Sequence, residues 1–256
     1  MPLPDNVIQH FLFRCSQVAR EVFRHFVLGS DTLFCRTSSA MLRYRVLPVT
    51  AFAQNCSLLW DDATRDAVLV DAGGEADRLL DAVRSEAVTL RAVWLTHAHI
   101  DHAGAAGEVA ERAGVPIIGP HAADQYWIDA LPQQAHMFGF PPARAFTPER
   151  WLVDGDTLHL GGLQFRVRHC PGHTPGHVVF HQPEARRCWV GDVLFAGSIG
   201  RTDLPTGSTE SLSRSLSEKI MSLSDEIRIY PGHGPESTLR NERDGNQFVR
   251  MIFADK

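Results

Sequence analysis

The stretch LTHAHIDHAGA, residues 95–105, sets His97, His99, Asp101 and His102 within six positions, just behind the apolar run AVWL. RAVWLTH reads as a buried strand, and the small-residue segment HAGAAGEVAERAG reads as a helix closed by Gly114. The four groups therefore stand on the loop between a strand end and a helix start, where a rigid scaffold can aim side chains at one point. His97 and His99 alternate outward together, while Asp101 and His102 fall at the helix entrance, where the helix dipole favours a carboxylate. Neither solvation nor core packing accounts for so many metal-capable groups in so short a space. Metal binding does.

Three more groups stand in the same setting further along: His173 in CPGHTPGH, Asp192 in WVGDVLF and His233 in YPGHGP. Each follows an expected strand and neighbours a glycine, whose freedom of φ permits the tight turns that bring distant ligands together. Imidazole and carboxylate suit zinc, iron and manganese alike. His121, His136, His159 and His181 are isolated and read as surface or hydrogen-bonded side chains. Asp71 and Glu75, flanking AGG, read as acids capping the next helix, and DAGG lacks the spaced glycines and lysine of a phosphate loop. Cys170 reads as packing beside the His173 loop.

Outward from these motifs the chain alternates. Residues 44–49, 56–60 and 67–71 read as strands, DAGGEADRLLDAVRSE as a helix opening after a glycine pair, and VPII as a strand. Residues 121–149 break the rhythm with prolines and bulky side chains, which suggests a helix and an irregular lobe placed as a lid. A second strand group follows in TLHL, LQFRVRHC, HVVFHQ and RRCWVGDVLF. The helix STESLSRSLSEKIMSL, the strand IRIY and a helical tail complete the order. The expected fold is α/β, two mixed sheets face to face with helices outside.

Composition narrows the function. At 256 residues, with 44% hydrophobic and 21% charged residues, one catalytic domain spanning residues 41–256 is expected. A net charge of −5 with no basic stripe argues against a nucleic-acid partner. Five scattered cysteines without a C-x-x-C pair suggest neither a disulfide framework nor a zinc knuckle, so a cytoplasmic location is expected. No apolar run approaches the roughly 20 residues of a membrane helix. Residues 1–40 stand apart as an N-terminal extension. An apolar stripe at helical spacing over residues 7–28 allows a loose amphipathic helix, and an over-long reading frame with translation starting at Met41 is the favoured reading.

THAHIDHAG, PGHTPGH, the Gly191–Asp192 pair and PGHG, in this order, resemble the metallo-β-lactamase superfamily and its hydroxyacylglutathione hydrolase (glyoxalase II) branch. RVLPVTAFAQNCSLLW, HMFGFPP, TPERWLVDGD and GDVLFAGSIGRTDLPTGS are similar to the YcbL-type single-domain hydrolases of that branch. The resemblance, from about Arg43 onward, implies an αββα sandwich and two divalent ions, most readily zinc, with iron or manganese compatible. It places His97, His99 and His173 on one ion, Asp101, His102 and His233 on the other, and Asp192 between them. It further implies hydrolysis of a small-molecule thioester such as S-lactoylglutathione by a metal-bridging hydroxide, oriented by Asp101.

The resemblance has a gap at the substrate. The helical domain that supplies glutathione contacts in longer glyoxalase II enzymes has no counterpart between His233 and Lys256, and Lys219 and Lys256 are the only lysines. Arg201, Asp203 and Phe138 are the candidate substrate contacts instead. GRTD also resembles persulfide dioxygenases, which use one iron, and a non-catalytic metal-binding domain is the alternative of a different class. β-Lactamase and ribonuclease activities fit the PGHTPGH and GRTD context less well.

Overall fold

Residues 40–254 are described by a computed structural model, and the readings of the N-terminal extension lie outside them. The first sheet runs in spatial order through β1 (Leu42–Val49), β2 (Gln54–Asp61), β3 (Asp66–Val70), β4 (Thr89–Trp94) and β5 (Ile117–Ile118). β1 to β3 pair antiparallel, and β3 to β5 pair parallel, with helices 76–85 and 106–113 as crossovers. The second sheet contains β6 (Thr157–Leu160), β7 (Leu163–His169), β8 (Val178–Gln182) and β9 (Arg187–Gly191). After the small hairpin β10 (Leu194–Phe195) and β11 (Ser198–Ile199), it is completed by β12 (Arg228–Pro231) and β13 (Ser237–Thr238), in the order β13-β12-β9-β8-β7-β6.

The four layers follow from where the apolar side chains go. Leu59, Val68, Val70 and Trp94 of the first sheet interlock with Phe165, Val167, Phe180 and Trp189 of the second. The outer face of the first sheet is covered by the helices carrying Leu79, Val83, Val109 and Leu131, that of the second by Leu212, Leu216, Leu239 and Val249. Central strands such as β3 and β8 are thus buried on both faces, which is why they read as unbroken apolar runs. The αββα arrangement expected from the sequence is the one observed.

Three elements depart from the reading. The small-residue helix is broken into Ile100–Ala103 and Ala106–Ala113 around Gly104. A Cβ at Gly104 would stand 2.7 Å from the Gly73 carbonyl oxygen, and one at Gly73 would stand 1.4 Å from that of Asp101, so the DAGG loop presses directly on the ligand turn. RRCWVGDVLF is two strands rather than one, because Gly191 takes φ 48° and turns the chain before Asp192. The segment expected as one helix and an irregular lobe holds two helices, Gln125–Asp129 and Leu131–Phe138, anchored by Ile128, Leu131 and Ala135 in the first core cluster.

Phe165 is fully buried and meets Trp94 edge-on at 5.1 Å, at the junction of the sheets. Phe165→Ala is expected to cost about 3–5 kcal/mol, read as a lowered urea midpoint with little change in slope.

Candidate metal centre

β4, β7, β9 and β12 all end at one rim, because β4 continues the parallel half of its sheet and β7, β9 and β12 point the same way in theirs. The loops after them carry His97 to His102, His173, Asp192 and His233, and the structure brings all seven together. His97, His99 and His173 form one group and Asp101, His102 and His233 another, each with one ligand atom per residue within 4.8 Å of the others. Asp192 lies between them: Oδ2 is 3.6 Å from His173 Nε2 and 3.7 Å from His233 Nε2, and Oδ1 is 3.3 Å from His102 Nε2.

Hydrogen bonds on the far side of the rings decide which nitrogens face inward. Thr96 Oγ1 donates to Asp71 Oδ2 at 2.7 Å, which leaves it to accept from His97 Nδ1 at 3.0 Å. The same Asp71 oxygen accepts from His102 Nδ1 at 3.0 Å. His173 Nδ1 donates to the Arg201 carbonyl at 2.8 Å and His233 Nδ1 to the Phe52 carbonyl at 3.2 Å. Four imidazoles are thereby held with Nε2 facing the centre. His99 contributes Nδ1, 2.9 Å from His173 Nε2.

The buried atoms fit a metal. Nε2 of His97 and His102 and Oδ1 of Asp192 are buried without a hydrogen-bond partner among the described residues. Buried polar atoms left so cost roughly 1–3 kcal/mol each, a cost that coordination removes. Burial, then the neighbouring imidazoles, drive His97 well below the ordinary histidine pKa, and burial followed by His173 brings His99 down to about 3. These rings are neutral donors. Burial opposes a charge on His102, but Asp192 and Asp101 hold its pKa well above the usual value, and His102 in turn outweighs burial to hold Asp192 far below the carboxylate range.

The supporting residues were hidden in the sequence. Asp71 caps no helix: its Oδ1 takes the Thr96 N–H at 2.7 Å, which ties the end of β3 to the end of β4. Glu75 does not cap its helix either, and its carboxylate accepts from Thr50 N and Arg78. Asp124 accepts from Ala98 N at 3.1 Å, Thr174 Oγ1 at 2.9 Å and Gly176 N at 2.5 Å, clasping the HAHIDH loop to the His173 loop. Gln134 receives the Ile100 N–H at 3.0 Å, and Trp127 lies edge-on to His99 at 4.5 Å.

Of the candidate substrate contacts, Arg201 and Asp203 are exposed and paired with each other, both bonds at 2.7 Å. Phe138 is half exposed and meets Phe52, on the loop that holds His233, at 6.1 Å. Asp71→Asn keeps the shape but puts an NH2 group where an acceptor or a second acceptor is needed. Its metal affinity is expected to fall ~10–100-fold, read by competition with a chromophoric chelator.

The family model of the metallo-beta-lactamase superfamily matches residues 49–233. Hydroxyacylglutathione hydrolase GloC of Haemophilus influenzae is 44% identical over 209 residues, covering 81% of this chain and 98% of that protein. The crystal structure of BLEG-1 B3 metallo-beta-lactamase is similar with a TM-score of 0.75 at 34% identity, covering 81% of this chain and 99% of that one. TTHA1623 in a di-iron-bound form gives 0.71 at 35% identity, covering 80% and 99%. With matching motifs, fold and extent, this chain belongs to the metallo-beta-lactamase superfamily.

Proposed function

We propose that this metal-dependent hydrolase cleaves a thioester of the hydroxyacylglutathione class, S-lactoylglutathione being the representative substrate, at a centre of two divalent ions. The observation that carries the reading is the position of Asp192 between two separate histidine-containing groups. His97, His99 and His173 would hold one ion, Asp101, His102 and His233 the second, with Asp192 shared. Zinc is the preferred ion on ligand type, and the di-iron-bound relative makes iron the first to compare. Two such ions, when bound, supply a water acidic enough to attack near neutral pH and an electrophile for the carbonyl oxygen.

The protein's own part is positioning. Asp101, with Oδ2 3.0 Å from His233 Nε2 and a small exposed surface, is placed to accept a hydrogen from the attacking water and orient its lone pair. The His233 side chain, 29% exposed, marks the open side from which substrate enters. Among the described residues no thiol competes as nucleophile: Cys56, Cys170 and Cys188 are buried, and burial raises the pKa of each, Cys188 to about 12. The aromatic group Phe52, Phe138 and Phe140 beside the His233 loop would receive an apolar part of the substrate. Among the described residues no helix is long and apolar enough to cross a membrane; a soluble cytoplasmic substrate pool fits this reading.

The test is a paired assay on protein of measured metal content: hydrolysis of S-lactoylglutathione beside oxygen uptake on glutathione persulfide. Thioester loss with about two ions per chain is expected; oxygen uptake with about one iron and little hydrolysis overturns the proposal. Asp192→Ala should retain at most one ion and lose more turnover than the ~10–100-fold typical of a supporting partner. Full loading and turnover in that variant would remove Asp192 from its shared position.

A further inference from the structure

His177, the second histidine of PGHTPGH, belongs to neither ligand group, yet it is fully buried against the centre. Its ring stacks on His97 at 4.7 Å with an interplanar angle of 21°. Its Nε2 accepts the backbone N–H of Asp192 at 3.0 Å. The chain has left the β9 ladder at this point: Gly191, at φ 48°, rotates the next peptide, so the Asp192 N–H points at a side chain instead of a neighbouring strand. The turn and the ring are matched to each other. A Cβ at Gly191 would lie 2.6 Å from His177 Nε2 and 2.6 Å from Thr96 Oγ1, so a side chain at that position would displace the ring.

The hydrogen bond also fixes the proton. An Nε2 that accepts from a peptide N–H carries none, so the ring is neutral with its hydrogen on Nδ1, and Nδ1 has no partner among the described residues. The fold thus leaves a buried polar atom unsatisfied in order to keep an acceptor here, which calls for an explanation beyond packing. The backbone on either side is pinned: the His177 carbonyl accepts from Cys170 N at 2.8 Å, and Val178 N donates to the Thr96 carbonyl at 2.8 Å. His177 is therefore anchored to both sheets while it holds the peptide that carries Asp192.

We propose that His177 is a positioning residue, a neutral acceptor that sets the direction of the Asp192 carboxylate through its backbone N–H and supports the His97 ring from behind. The inference rests on the metal-centre reading above and assigns a role to a residue that binds neither metal nor substrate. An acceptor at the Nε2 distance is the required feature. Glutamine places its Oε1 at about that reach, whereas asparagine, one methylene shorter, does not, and leucine has no acceptor.

The experiment compares His177→Gln, His177→Asn and His177→Leu with the parent chain. It measures ions per chain, dissociation constants by chelator competition, melting of the metal-free protein, and kcat separately from KM on S-lactoylglutathione. His177→Asn and His177→Leu are expected to weaken metal binding at least tenfold and to lower kcat more than they raise KM, while His177→Gln stays within about threefold of the parent. Parent-like affinity in His177→Asn or His177→Leu overturns the proposal, as does equal weakening of the glutamine and asparagine variants when both melt cooperatively. If the asparagine and leucine variants do not fold, the glutamine variant decides alone: affinity within threefold supports the role, and a tenfold loss overturns it. A parent chain that loads one ion would overturn the two-ion reading, while the ratio between glutamine and asparagine variants would still decide the role of His177.

Discussion

One buried carboxylate joins the two halves of the candidate centre. Asp71, at the end of β3, receives the Thr96 N–H, the Thr96 hydroxyl and the His102 Nδ1–H, and through that hydroxyl it also fixes the His97 ring. A carboxylate satisfied by several donors in a low-dielectric interior is held rigidly, and so are the groups it holds. One histidine from each ligand group is oriented by the same two oxygens. The DAGG loop can reach this position only because Gly73 lies flat against the Asp101 carbonyl, so backbone packing and ring tautomer are set by one contact region.

Around that contact the two sheets are stitched at the rim by main-chain bonds. Val178 N reaches the Thr96 carbonyl, and Asn55 N reaches the Gly232 carbonyl, while the Asn55 side chain donates to the carbonyls of Pro231 and Gly234. The turn bearing His233 is thus built from one sheet and held by the other. Asp124 and Gln134, from the segment between the sheets, hold the loop of His97 to His102 from the opposite side. The ligand loops are pinned by these bonds at several points, which lets them perform a task that usually needs the rigidity of helices and strands.

What the sequence made legible was local. The seven candidate ligands announce themselves because each follows an apolar strand and neighbours other ligands or glycine, and the alternation of strands and helices gives the four layers. What stayed hidden depends on contacts between distant segments. Asp71 reads as a cap because its true partners, Thr96 and His102, belong to another motif. Asp124 lies in a segment of mixed polar and bulky residues with no periodic signal. The break after β9 was concealed because a strand pattern carries straight through VGDVLF, and a positive φ at a single glycine leaves no mark in hydrophobic periodicity. The repeated PGH of PGHTPGH was the one available sign of His177.

The spread of the ligand groups has a consequence for how the molecule comes to be assembled. The seven candidate ligands span residues 97 to 233, at the ends of strands in both sheets, and no short fragment contains either group complete. Closing loops of that length must precede completion of either group, and non-local strand pairing is the slow part of folding. A metal can stabilise the finished chain by mass action, but the ligands that complete each group, His173 and His233, reach it only once the second sheet is in place.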